Sequence, residues 1–229
     1  MNVMRLRRLI GVAILAIAAV VMLTTHPNLW QPVQQVANQP PSGAAVDALG
    51  KLAVKGRAPK TGYTRAQFGD GWRVTGICDT RNIILHRDLT NVIVDDQCHI
   101  TSGLLHDPYT GKDISFIRGA SSSAAIQIDH VVALSDAWQK GAQQLSSAER
   151  ENLANDPLEL LAVDGPANQQ KGDGDAATWL PSNKPFRCQY VARQIAVKAK
   201  YQLWVTQAEK SAMLGVLAAC PGQTLPSAQ

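Results

Sequence analysis

Three arginines, Arg5, Arg7 and Arg8, precede fifteen uncharged apolar residues from Leu9 to Leu23, and no other stretch constrains the fold of this chain as much. A basic start before a moderate apolar core is the pattern of an export signal. At ~1.5 Å per residue the run is shorter than the roughly 20 residues of a comfortable membrane span. No small-x-small cleavage site is obvious after Leu23, so an uncleaved anchor with its arginines inside is the other reading. Residues 1–30 are therefore read as a signal peptide or an N-terminal membrane anchor. The rest is expected to mature in an oxidising compartment, secreted or held on the outer side of the cytoplasmic membrane.

That compartment gives meaning to the four cysteines, Cys78, Cys98, Cys188 and Cys220. An even count after an export signal predicts two disulfides. Three pairings are open, and proximity along the chain favours Cys78–Cys98 and Cys188–Cys220. Each closes a loop of a few tens of residues, worth roughly 3 kcal/mol in the loop-entropy view. No two cysteines show the C-x-x-C spacing of structural zinc. Without the three leading arginines the net charge of +4 falls to about +1, so overall basicity gives no argument for nucleic acid. Residues 31–45, rich in Gln, Pro and Ala, read as a flexible linker; 46–221 form one domain, and 222–229 a tail.

Within the domain, "AVDALGKLAVKG" has helical spacing and predicts a helix ending at Gly56. From Trp72 to Ile117, β-prone runs alternate with turn signals, with "DPYTGK" as a tight turn, which predicts strands and hairpins. Capping boxes at Ser146/Glu149 and Thr206/Glu209 predict helices beginning near Ser147 and Gln207. Between them "LELLAV", residues 158–163, is too short for a typical helix and reads as a strand. Pro166 opens a short helix closed near Gly172, and "FRCQYVARQIAVKAKYQLW" is an amphipathic helix. The expected class is α+β, with strands early and helices late.

The order is then strand, Asp129-His130, an insertion, a second strand, and a short helix carrying Asn168 and Lys171. In this order the chain resembles HNH endonucleases with the ββα-metal motif over residues 126–173. Over roughly 60–218 it resembles exported HNH-like proteins whose nuclease domain is related to that of modification-dependent restriction enzymes. The stretches that carry the wider resemblance include "CDTRNIILHRDL", "HDPYTGKDISFIRG", "NDPLELLAVDGPANQQKGDGDAATWLP" and "RCQYVARQIAVKAKY". The fold implied is a ββα-metal core with a strand-rich region before it and helices after it.

Phosphodiester hydrolysis needs a base for water, and a neutral imidazole near pH 7 serves, which makes His130 the candidate. It also needs a cation to neutralise the phosphate and the departing oxygen. The resemblance implies Asp129 and Asn168 as its ligands, hard oxygen donors that suit Mg²⁺, or Mn²⁺ or Ca²⁺, better than zinc. Lys171, one turn beyond Asn168, is expected on the phosphate. The family's middle Asn is missing: counting nine residues back from Asn168 gives Glu159, and Asn155 is the other candidate to orient the base.

Arg118 and Arg81 are candidates for transition-state or substrate contacts, since guanidinium matches phosphate bidentately. Arg187 and Arg193, with Lys198 and Lys200, lie between Pro185 and Val205 without an acidic neighbour and suggest a basic surface for a polyanion. His86, His99 and His106 lack metal-type spacing, and Trp138, Trp179 and Trp204 read as packing residues. "GDGDAATW" lacks the pattern of a calcium loop. The function this implies is an exported metal-dependent endonuclease whose expected substrate is DNA, with RNA as the second choice. The alternative is an inactive HNH-fold envelope protein that binds nucleic acid or a cell-wall partner.

Overall fold

The structure, a computed structural model, describes residues 42–120 and 122–226. The expected leader and all but the last residues of the expected linker lie outside the described residues. The chain is mixed α+β, with α1 (Ala44–Lys51), the short pair β1 (Val74–Thr75) and β2 (Cys78–Asp79), α2 (Thr80–Asp88), β3 (Leu89–Val94), β4 (Ile100–His106) and β5 (Asp113–Ile117). There follow β6 (Ile126–His130), α3 (Leu134–Gln139), α4 (Ser147–Ala154), β7 (Leu160–Asp164), α5 (Gly165–Lys171), α6 (Arg187–Lys200) and α7 (Gln207–Leu217).

Two small antiparallel sheets matter for the site. Strands β3, β4 and β5 form a meander in that order, and β6 pairs with β7 with Asp129 opposite Leu161 and His130 opposite Leu160. Because side chains alternate along a strand, Ile126 and Ile128 of the β6–β7 ribbon pack toward the meander. They join Leu85, Leu105, Phe116 and Leu160 in one buried cluster, whereas Leu161 and Val163 join a second cluster with α1, α3, α6 and α7. The ribbon is thus apolar on both faces, and a polar pair at its end is held among buried side chains.

Both disulfides form, Cys78–Cys98 between β2 and the turn joining β3 to β4, and Cys188–Cys220 between α6 and the segment just after α7. Helices α4 and α7 begin where their capping boxes predict, with reciprocal bonds at Ser146/Glu149 and Thr206/Glu209. The stretch "TRNIILHRD" is α2 rather than a strand. Asp79 caps it by accepting from the Asn82 amide, and Ile84 and Leu85 bury its inner face. Helix α1 stops at Lys51, before Gly56, because the backbone of Ala53 and Lys55 bonds to Val205 instead. A tertiary bridge there replaces the last helical turn.

Behind the ribbon lies a buried ionic cluster. Lys140, fully buried, holds Asp136 at 2.8 Å, Asp175 at 2.7 Å and Glu209 at 2.6 Å. Lys198 of α6 adds Glu209 at 3.0 Å, and Arg57 clamps Asp136 and Asp175 from the outside. Three cations balance three carboxylates and tie α3, α6, α7 and the loop after α5 together. Lys198 is therefore interior, and Lys200 pairs with Asp156 at 2.5 Å, so the basic surface expected on α6 is largely neutralised.

Candidate active site

Asp129 and His130 are adjacent in sequence and sit at the very end of β6, where the ribbon stops. Helix α5 crosses Asp129's face of the ribbon. Its Asn168 amide nitrogen donates to Gln127 Oε1 at 2.9 Å, and Lys171, three residues on, reaches Asp129 Oδ1 at 2.9 Å and the His130 carbonyl at 2.8 Å. Local sequence explains the helix: Asp164 caps it through the Ala167 amide, Pro166 starts it and Gly172, at φ 54°, ends it. Asp129, His130 and Asn168 all line one polar cavity of about 310 Å³, with Lys60, Arg65, Ser135 and Asp173 on its other walls.

Asp129 is not an open carboxylate. Its second oxygen accepts the hydroxyl of Tyr109, which comes from the "DPYTG" turn between β4 and β5 and is wholly buried. Asp107 pins that turn, accepting from Thr110 on one oxygen and from the Asp164 amide on the other. Burial and the neighbouring Asp129 push the Tyr109 phenol well above its ordinary range, so it stays a donor. Lys171 is fully buried and cannot be the surface phosphate contact expected of it. It is the fixed counter-charge of Asp129.

His130 is buried, and its Nε2 bonds the Ala154 carbonyl at 3.0 Å, which makes Nε2–H the donor and leaves the lone pair on Nδ1. Neither residue expected to orient it does so. Glu159 accepts the Val132 amide at 3.2 Å and is wholly buried, and Asn155 bonds the Arg73 amide and the Glu151 carbonyl. The main chain at the end of α4, one residue before Asn155, supplies the orienting oxygen. Burial first, then the Arg65 guanidinium, hold the His130 pKa down at about 3, against a smaller upward pull from the Ala154 carbonyl. The ring is neutral throughout the physiological range.

The four arginines expected on substrate are spent on the chain itself. Arg118 bonds the Ile100 carbonyl and Asn82 Oδ1, and Arg81 bonds the carbonyls of Ile126 and Ser123. Arg187 bonds the Pro181 carbonyl at 2.7 Å and Arg193 the Leu158 carbonyl at 3.0 Å. None of the four lines the cavity with Asp129 and His130. A wider groove of about 720 Å³, lined among others by Asn155, Asp156 and Lys200, holds none of the Asp129, His130 and Asn168 trio.

Arg65 fills the gap these arginines leave. It is exposed, lines the cavity, and makes no side-chain hydrogen bond or ion pair among the described residues. Sequence reasoning missed it because an isolated arginine at the start of a one-turn 3-10 helix carries no spacing signal. Tyr109 did carry one, since a large aromatic at the centre of a tight turn has no local reason to be there.

Whether these residues fit a divalent ion can be judged from their bonding. Asn168 Oδ1 accepts no bond among the described residues, and each oxygen of Asp129 accepts one donor and retains a lone pair. No cluster of three or more His, Cys, Asp or Glu side chains suited to a metal occurs among the described residues. One carboxylate and one amide are oxygen donors of the kind a hard, partly hydrated ion takes, and they do not make a closed zinc cage.

The profile of the C-terminal domain of GmrSD restriction endonucleases matches residues 79–216 of the chain. A protein of Arthroderma benhamiae named as an uncharacterized secreted protein is 37% identical over 208 residues, which cover 90% of this chain and 98% of that one. No solved structure matches the chain.

Proposed function

The chain belongs to the family of the C-terminal domain of GmrSD restriction endonucleases, and from that premise we propose that it hydrolyses phosphodiester bonds of nucleic acid at the cavity shared by Asp129, His130 and Asn168. The observation that carries the reading is that His130, its neutral imidazole fixed through Nε2 by a main-chain oxygen, lines one cavity with a carboxylate and an amide. His130 Nδ1 takes a proton from water as the water oxygen bonds to phosphorus. The bond from phosphorus to the 3′ oxygen breaks, and that oxygen takes a proton from solvent. Arg65 holds the phosphate. Lys171 and Tyr109 each donate to one oxygen of Asp129 and hold the carboxylate in place.

Asp129 and Asn168 would hold a divalent cation, Mg²⁺ or else Mn²⁺ or Ca²⁺, whose chemistry when bound is Lewis-acid stabilisation of charge on the phosphate and the leaving oxygen. The ββα-metal reading of β6, β7 and α5 rests on the same residues. Export is part of the proposal: the basic and apolar leader, two disulfides and a relative named as secreted all support it. No helix among the described residues is long and apolar enough to cross a membrane.

One observation favours the rival, a domain that binds without cutting: Lys171 already supplies a positive charge to Asp129. Plasmid nicking separates the two. The disulfide-bonded chain is expected to nick supercoiled plasmid with Mg²⁺, to stop with EDTA, and to lose at least a hundred-fold in rate as His130→Ala. Plasmid, single-stranded DNA and RNA all left intact with Mg²⁺, Mn²⁺ and Ca²⁺ in turn would leave only the rival.

A further inference from the structure

His130 is a wall between two cavities. It also lines a second cavity of about 370 Å³, within the size range of small-molecule sites, whose lining includes Arg65, Phe68, Trp72, Leu134 and Ala154. Trp72 lies nearly parallel to the imidazole, with an interplanar angle of 8° and centroids 5.7 Å apart. Phe68 and Leu134 are buried and give the cavity an apolar floor. The loop bends around it at Gly69 and Gly71, whose φ values of 101° and 132° other residues rarely adopt. Asp70, exposed, is its one acidic lining side chain.

Arg65 belongs to both cavities. A phosphate held by its guanidinium has the Asp129 and Asn168 wall on one side and an aromatic, largely apolar pocket on the other. Along a nucleic acid, the nearest aromatic group to a backbone phosphate is the base of an adjoining nucleotide, one sugar away. We propose that the cavity between Arg65, Phe68, Trp72 and His130 is a nucleotide subsite that takes one unstacked base beside the phosphate held at Arg65. Because a base inside a duplex is stacked on both faces, the subsite selects single-stranded nucleic acid or a flipped-out nucleotide. This rests on the proposal that the chain acts on nucleic acid, and it adds the class of substrate.

The test measures binding in EDTA, so that no cleavage is involved. The full disulfide-bonded chain is titrated with a fluorescent single-stranded oligonucleotide and with a fully abasic chain of the same length. Trp72→Ala is expected to weaken the oligonucleotide about ten-fold or more, the size of one lost base–aromatic stack, and to leave the abasic chain unchanged. Trp72→Phe should retain most of the affinity, which guards against a loss caused by misfolding. Arg65→Ala should weaken both ligands alike. Equal effects of Trp72→Ala on the two ligands, no effect on either, or a wild type that binds neither overturns the subsite. The expected pattern in a chain that cuts neither plasmid nor single-stranded DNA or RNA keeps the subsite and removes only the hydrolytic reading. A chain that nicks plasmid but binds the oligonucleotide and the abasic chain equally well removes the subsite alone.

Discussion

Lys171 and Asp129 meet with almost no exposure to water, and their bonds to the His130 carbonyl and the Tyr109 hydroxyl satisfy most of what burial would leave unpaired. Removing one partner of such a pair strands a charge in the interior, which typically costs about 3–5 kcal/mol. Lys171→Met is therefore expected to lower unfolding free energy by that order in urea titrations with disulfides intact. A shift within about 0.5 kcal/mol would mark Lys171 as a surface group instead. Glu159 makes a different prediction, because burial pushes its carboxyl well above the usual range while one oxygen lacks a partner among the described residues. In the unfolded chain it titrates near about 4.3. Above that pH the unfolded state releases a proton that the native state keeps. Its contribution to stability is thus complete below about pH 4.3 and declines as pH rises toward the folded value. Glu159→Gln removes that ionisation, so its advantage in Tm over wild type should grow between pH 4 and pH 8. Parallel Tm curves would refute the assignment.

The elements divide by whether their signal is local. The boxes at Ser146/Glu149 and Thr206/Glu209 act within four residues, and α4 and α7 start beside them. Ser146→Ala should cost about 1 kcal/mol, read as a lower midpoint in urea at unchanged slope. A change in slope would mean that α4 does more than cap and pack. Helix α2 was equally local, with Asp79 three residues before Asn82, yet the flanking β-prone runs drew "NIIL" into a strand reading. Helix α1 ends early for the opposite reason, since its terminating partner, Val205, lies some 150 residues away. The site itself is two strands and a helix, and their order was visible in sequence. Which face each side chain takes depended on where β6 ends.

At the scale of the whole molecule, the cluster of Lys140, Lys198 and Arg57 with Asp136, Asp175 and Glu209 joins parts of the chain from residue 57 to residue 209. Burial pushes the Asp175 carboxyl up, but Lys140 and Arg57 outweigh it and hold the group below its ordinary pKa. Lys140→Met should destabilise the chain by about 3–5 kcal/mol, because three carboxylates lose the cation between them. Since the cluster stands behind the loop that carries Asp173 into the cavity, the same variant should lose nicking activity together with its stability. Full activity at a temperature where the variant is folded would show that the cluster does not position the site.

Sequence alone determined what depends on neighbours along the chain: the α+β alternation, the helix caps, the turn at "DPYTG", and the Asp129-His130 pair at a strand end before a helix carrying Asn168. It also suggested both disulfides, where short loop closure coincided with the tertiary arrangement. Only the tertiary structure decided which groups serve the site. Lys171 turned inward to Asp129, the Ala154 carbonyl took the orienting role expected of Glu159 or Asn155, and Arg65 stood free where Arg81, Arg118, Arg187 and Arg193 were tied to carbonyls. The physical reason is that a charged side chain takes whichever partner best repays the loss of water, and that partner is set by packing between distant segments.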